Sequence, residues 1–208
     1  MNILHIDSSI LESNSVTREL SAAIVKQLKA AHPDANVTYR DLVKHEISHL
    51  TGAVAAGFRP TGFDAFDEKT RQEHQLSAAL VSEFLAHDVI VIGAPMYNFS
   101  VPSQLKAWLD RLAQAGRTFK YTEAGPVGLV SGKQILIASA RGGFYAEGGL
   151  VHMDHQESYL KTFFGFLGIR NVHFIRAEGM SKSPQIKEAG VQSAHAAVIA
   201  TLAVLQTN

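Results

Sequence analysis

Val89-Ile90-Val91-Ile92-Gly93-Ala94-Pro95-Met96-Tyr97-Asn98-Phe99 is the stretch of this 208-residue chain that decides its fold. Four consecutive β-branched residues suit a strand covered on both faces, and Pro95 cannot continue a hydrogen-bond ladder, so the chain leaves the sheet there. Pro102 follows where an opening helical turn tolerates it, and Leu105, Trp108, Leu109 and Leu112 recur with helical spacing. A buried strand feeding a packed helix is the unit of a parallel α/β sheet. In open sheets of that kind ligands bind beyond the carboxyl ends of the strands, which is where the loop at residues 96–99 falls.

Working outward, residues 2–7 read as a strand and 16–31 as a helix through Val16, Leu20, Ile24 and Leu28. A shorter, alternating strand follows at 37–41. Residues 42–66 hold Gly52, Gly57, Pro60 and Gly62 without a sustained period, and a helix then runs over 70–86 through Leu76, Leu80 and Phe84. Beyond the central unit come a strand at 134–139, a glycine-rich loop, a helix at 156–166, a strand at 171–177 and a final helix from about Ile186. Five strands alternate with helices, and no repeat, low-complexity tract or polar linker divides them, so one domain over residues 1–208 is expected. Alternation of this kind predicts an α/β fold: a doubly wound, five-stranded parallel sheet with helices on both faces. The inferred strand order, 2-1-3-4-5, puts a ligand at the switch point between the first and third strands.

Composition narrows the ligand. The hydrophobic share of 46% can fill a core without disulfides or structural metal. Lys plus Arg and Asp plus Glu both number 19, so no global field favours nucleic acid or an anionic membrane. With no cysteine, thiolate catalysis, zinc-thiolate sites and iron-sulfur clusters are excluded, and redox chemistry must come from a cofactor. The N-terminus has no secretory signal pattern, and the apolar run at 194–205 falls short of the roughly 20 residues a spanning helix needs. A cytoplasmic protein without a membrane partner is expected.

Ser8, Ser9, Ser13, Asn14, Ser15 and Thr17 follow the first strand and run into the helix start. Free amides and the positive end of the helix dipole there could hold a phosphate, or Asn14 or Ser15 could simply cap the helix. No glycine occurs in residues 6–15, so neither the dinucleotide fingerprint nor the P-loop is present. Gly93 and Ala94 stand where a receiver domain would need an acidic residue. Arg141-Gly142-Gly143 follows the fourth strand at the same edge, and paired glycines let backbone approach a flat ligand. His152, Asp154 and His155 read as a helix start and not as a metal site, and neither a zinc-protease helix nor a hydrolase elbow is present.

These residues carry a resemblance. Ser8-Ser9 before Ser15-Val16-Thr17, the element Pro95-Met96-Tyr97-Asn98-Phe99, Arg141-Gly142-Gly143, and the framing stretches Gln104-Leu105-Lys106, Tyr121-Thr122-Glu123 and Ala177-Glu178-Gly179 resemble the FMN-dependent NADH azoreductases. That family comprises flavodoxin-like quinone and azo-compound reductases, and the likeness spans nearly the whole chain. It implies tightly but non-covalently bound FMN, with Ser9, Ser15, Val16 and Thr17 on its phosphate. Pro95, Met96, Tyr97, Asn98 and Phe99, with Ser139, Ala140, Arg141, Gly142 and Gly143, would line its ring. Arg59 and Tyr121 would serve the substrates. NADH or NADPH would donate hydride and a quinone or azo compound would accept it in a ping-pong cycle, with no catalytic side chain and no metal. Amides near Asn98 and Gly142 are candidates for stabilising negative charge on the reduced ring. A homodimer is implied as well. Ala140 stands where the family commonly has serine, and strand alternation would turn Ser139 to the opposite side. The competing reading is an FMN electron carrier on the same fold that does not itself oxidise NADH, and the balanced charge speaks against its acidic docking face.

Overall fold

A computed structural model describes residues 1–58 and 66–206. Five strands form one parallel sheet: β1 (Asn2–Asp7), β2 (Asn36–Asp41), β3 (Val89–Pro95), β6 (Gln134–Ala140) and β7 (Val172–Ala177), in the order β2-β1-β3-β6-β7. This is the 2-1-3-4-5 order expected from the sequence, with helices on both faces. The sheet is mostly buried because its odd and even residues feed two separate cores. On one face Ile3, Val89, Val91, Leu136, Ala138 and Ile175 pack against α1 (Val16–Ala31) and α6 (Pro184–Gln206). On the other, Leu4, Ile6, Ile90, Ile92, Ile135 and Ile137 pack against α3 (Glu68–Ala86), α4 (Ser103–Leu112) and α5 (His155–Leu167). Period-2 alternation therefore operates even in strands that read as continuous apolar runs.

Two features depart from the expected element list. A short helix, α2 (Gly52–Ala56), forms in the irregular segment, started by Thr51, whose hydroxyl accepts from the Val54 amide at 3.3 Å. An antiparallel hairpin, β4 (Phe119–Thr122) and β5 (Gly125–Gly128), lies outside the main sheet. Its strands span four residues each and one is Gly-Pro-Val-Gly, so no periodic signal existed to reveal them. Gly128 is required there, since a Cβ would sit 2.2 Å from the Gly168 amide nitrogen at the end of α5.

The aromatic run at 163–166 belongs to packing: Phe164 is buried in the core, and Phe163 and Phe166 pack against it. Asp154 caps α5 by accepting from the Gln156 and Glu157 amides, both at 3.0 Å, as the helix-start reading of His152, Asp154 and His155 expects. Helix α6 is longer than its apolar run suggested. It buries Ala194, Val198 and Leu202 at helical spacing and leaves Ile199 and Val204 exposed on its other side.

Candidate functional site

Register brings the loops to one rim. Asp7 pairs with Asp41 and Gly93, and Pro95 with Ala140, so four loops leave the sheet at its carboxyl edge side by side. The first runs from β1 to α1. Ser8 donates to the Gly93 carbonyl at 2.7 Å and is fully buried, which anchors the loop and removes that hydroxyl from any ligand. Ser15 is the helix cap, accepting from the Arg18 amide at 3.3 Å and sharing a bond with the Thr17 hydroxyl at 3.0 Å. Capping by Ser15 leaves the amides of Val16 and Thr17 without a protein acceptor among the described residues, so they remain open to an anion.

Behind this loop lies a network that sequence reading missed. Arg18 makes a two-pronged ion pair with Asp41, at 2.6 and 2.9 Å, and donates to the Ser9 carbonyl at 3.0 and 3.3 Å. The Arg18 hydrogen bond holds the Asp41 carboxyl at about 2, well below its ordinary value of 3.8. Tyr39 donates to Asp7 at 3.0 Å, and burial, then the charge of Asp7, pushes its hydroxyl up to about 12. Asp7 also accepts from Ser21 at 2.8 Å. Arginine, tyrosine and two aspartates thus pin the Ser9 backbone from beneath, out of the cavity.

The second loop follows β3. Tyr97 and Ser100 exchange backbone hydrogen bonds at 3.0 and 3.1 Å, and the two residues between them have positive φ, 48° at Asn98 and 70° at Phe99. Positive φ at both central positions marks a type I′ turn, in which asparagine is common but phenylalanine is strained by about 1–2 kcal/mol. The turn is held from two sides. The Phe99 carbonyl accepts from the His155 amide at 3.0 Å, and Tyr97 Oη shares a bond with Ser9 Oγ at 3.2 Å while accepting from the Ile10 amide at 3.3 Å. Strain kept by this many ties is what a ligand clamp looks like.

The third loop follows β6 and is laced to the fourth, after β7. The carbonyls of Arg141, Gly142 and Gly143 accept from the amides of Met180, Ser181 and Gly179 at 2.9, 3.1 and 3.0 Å. Arg141 is 1% exposed, and its guanidinium pairs with Asp154 at 2.9 Å, with Glu178 at 3.4 Å and closely with Glu157. Burial pushes Glu157 up, but hydrogen bonds from Arg176 and the charge of Arg141 hold it below the ordinary carboxylate range. Glu178 also accepts from the Tyr145 and Ala146 amides at 2.6 and 2.9 Å. The side chain of Arg141 is therefore an internal anchor, and only its backbone flank is offered to a ligand.

Together these loops enclose a cavity of about 470 Å³. Ser9, Ser15, Val16, Thr17, Pro95, Met96, Tyr97, Asn98, Phe99, Ala140, Arg141 and Gly142 all line it. Ser139 does not: strand β6 continues to Ala140, so position 139 faces the opposite side, where its hydroxyl donates to Gln156 at 2.8 Å. Gly143 and Tyr121 are not among the lining residues; Tyr121 stands on the hairpin with 74% of its surface exposed. Arg59 lies outside the described residues.

A family model for the flavodoxin-like fold matches residues 1–202. An FMN-dependent NADH:quinone oxidoreductase of Ralstonia nicotianae is 60% identical over 198 residues, covering 95% of each chain. One of the same name from Sinorhizobium fredii is 55% identical over 194 residues, covering 93% of each. The chain belongs to this flavodoxin-like family of FMN-dependent NADH:quinone oxidoreductases. Among solved structures, an azoreductase from Bacillus anthracis str. Sterne superposes with a TM-score of 0.85 at 30% identity, covering 95% of this chain and 98% of that one.

The sequence signal was strongest for residues 95–99 and 140–142, all of which line the cavity. It was silent on Leu11, Met180, Ser181 and Lys187, which also line the cavity together with Asn14 and Tyr145. Met180, Ser181 and Lys187 come from the far end of the chain, beyond the last strand, and no local motif marks them. Gly142 shows why that neighbour matters: a Cβ there would stand 2.7 Å from Ser181 Oγ.

Proposed function

We propose that this protein is an FMN-dependent NADH:quinone oxidoreductase that also reduces azo compounds, with FMN held in the 470 Å³ cavity at the switch point. The carrying observation is the cavity's chemistry. Among the described residues no carboxylate lines it, and it offers the open Val16 and Thr17 amides at a helix start together with apolar and aromatic groups from residues 95–99. Those are the needs of a phosphorylated, flat heterocycle. Its volume lies within the range of small-molecule sites. The residues present therefore fit the cofactor.

Ser9, Ser15, Val16 and Thr17 would hold the phosphate, with Arg18 fixing Ser9 from behind. Residues 95–99 and 140–142 would embrace the ring, and Asn98 and Gly142, whose amides have no protein acceptor among the described residues, would donate to its polar edge. Bound FMN supplies the hydride chemistry, accepting from NADH and donating to a flat acceptor. What this chain's residues contribute is orientation and exclusion of water, with the strained Phe99 and Tyr145, 6.3 Å apart in an edge-on arrangement, at the cavity wall. Arg59 and Tyr121 we assign to substrate contacts, as the family resemblance implies. Tyr121 on its exposed hairpin would act after movement or across a homodimer, which, with a cytoplasmic location, is part of this reading. The whole described chain would act as one domain.

Steady-state NADH oxidation with a quinone, initial rates taken over both concentrations, separates this reading from an electron carrier. Parallel double-reciprocal lines are expected, as for alternating occupancy of one site. A purified, FMN-loaded protein that fails to oxidise NADH would leave the carrier reading standing.

A further inference from the structure

We infer that Lys187 is a cofactor-specificity residue that supplies the cation for the FMN phosphate, a role the first-strand loop was expected to fill with hydroxyls and amides alone. The inference rests on the proposed FMN site. Among the described residues, Arg141 and Lys187 line that cavity and Arg18 stands behind its first loop, and both arginines are spent. Arg18 is committed to Asp41, and Arg141 to Asp154, Glu157 and Glu178. Lys187 lines the cavity, and no carboxylate or other acceptor is paired with its ammonium among the described residues. A lysine in the first turn of a helix also opposes the helix dipole, so its placement at the start of α6 has no stabilising reason within the helix.

The packing places it at the phosphate end. Helices α1 and α6 lie side by side on one face of the sheet, and Val16 and Met180 join the same apolar cluster. Their register is set by His195, whose Nε2 meets Glu19 Oε1 at 2.7 Å. At 1.5 Å per residue, Val16 lies about 4.5 Å above Glu19, while Lys187 lies about 12 Å above His195. Lys187 therefore overhangs the α1 start by about 7 Å, where an anion seated on the Val16 and Thr17 amides would stand within reach of a lysine side chain.

Comparing FMN with riboflavin, which lacks the phosphate, isolates this contact. Binding to the apoprotein is followed by quenching of flavin fluorescence for the parent, Lys187→Gln and Lys187→Arg. The expected result is that Lys187→Gln weakens FMN about tenfold and leaves riboflavin unchanged, in keeping with loss of one charge-assisted hydrogen bond. Lys187→Arg should retain most of the affinity, and the salt dependence of FMN binding should be shallower in Lys187→Gln. Equal weakening of both flavins, or unchanged FMN affinity, would overturn the assignment. Failure of the parent itself to bind either flavin would instead overturn the FMN site.

Discussion

Replacing Gln156 with leucine tests whether the cavity's two ring loops are held at a fixed spacing. Gln156 is fully buried under the rim, where Nε2 donates to the Ala94 carbonyl at 3.0 Å and Oε1 accepts from Ser139 Oγ at 2.8 Å. Those partners are the penultimate residues of β3 and β6, each one step from its loop. Leucine keeps most of the volume and removes both bonds. Each is worth about 1 kcal/mol net, and facing the buried Ala94 carbonyl with a methyl group adds about 1 kcal/mol or more, for a total near 3 kcal/mol. In a chain of this length each kcal/mol moves Tm by about 2–4 °C, so the variant should melt roughly 6–12 °C lower. Circular-dichroism melting of the apoprotein measures the shift, and an FMN titration should show weaker binding in parallel. A Tm within about 2 °C of the parent, with unchanged FMN affinity, would refute the clamp.

Two further outcomes follow from the network beneath the phosphate end. Tyr97→Phe removes the hydroxyl that meets Ser9 at 3.2 Å and Ile10 at 3.3 Å, and should weaken FMN binding about three- to tenfold while moving Tm little; unchanged affinity would show that the Ser9 loop needs no such tie. Asp41 titrates at about 2 in the folded protein against an ordinary 3.8, so the folded state binds that proton less readily than the unfolded one. Its contribution to stability is complete above about pH 4 and is lost as the pH falls through about 2. Urea unfolding across that window should show a slope that Asp41→Asn flattens, and an unaltered slope in the variant would assign the acid sensitivity to other carboxylates.

The alternation of strands and helices and the boundaries of α1 were legible because long apolar periods report burial directly, while the strand order was inferred from that alternation; β3 ended at Pro95 because proline has no amide to give. The hairpin carrying Tyr121 was not legible, since four-residue strands rich in glycine and proline have no period. In the site, serines before a helix and an aromatic loop after a buried strand pointed to the rim where the cavity lies. Ser139 was read as lining the ring, and the extra strand residue turned it to the other side. Arg141 was read as a ligand contact, yet its charge is consumed by three carboxylates spread over two other segments. Such partners, like Gln156 and Lys187, are close only after folding, and no spacing along the chain encodes them.

A crystal structure of the protein grown with FMN tests the central claim most directly. The account predicts the phosphate on the Val16 and Thr17 amides and the ring between residues 96–99 and 140–142. FMN bound elsewhere, or an empty cavity at saturating FMN, would contradict it.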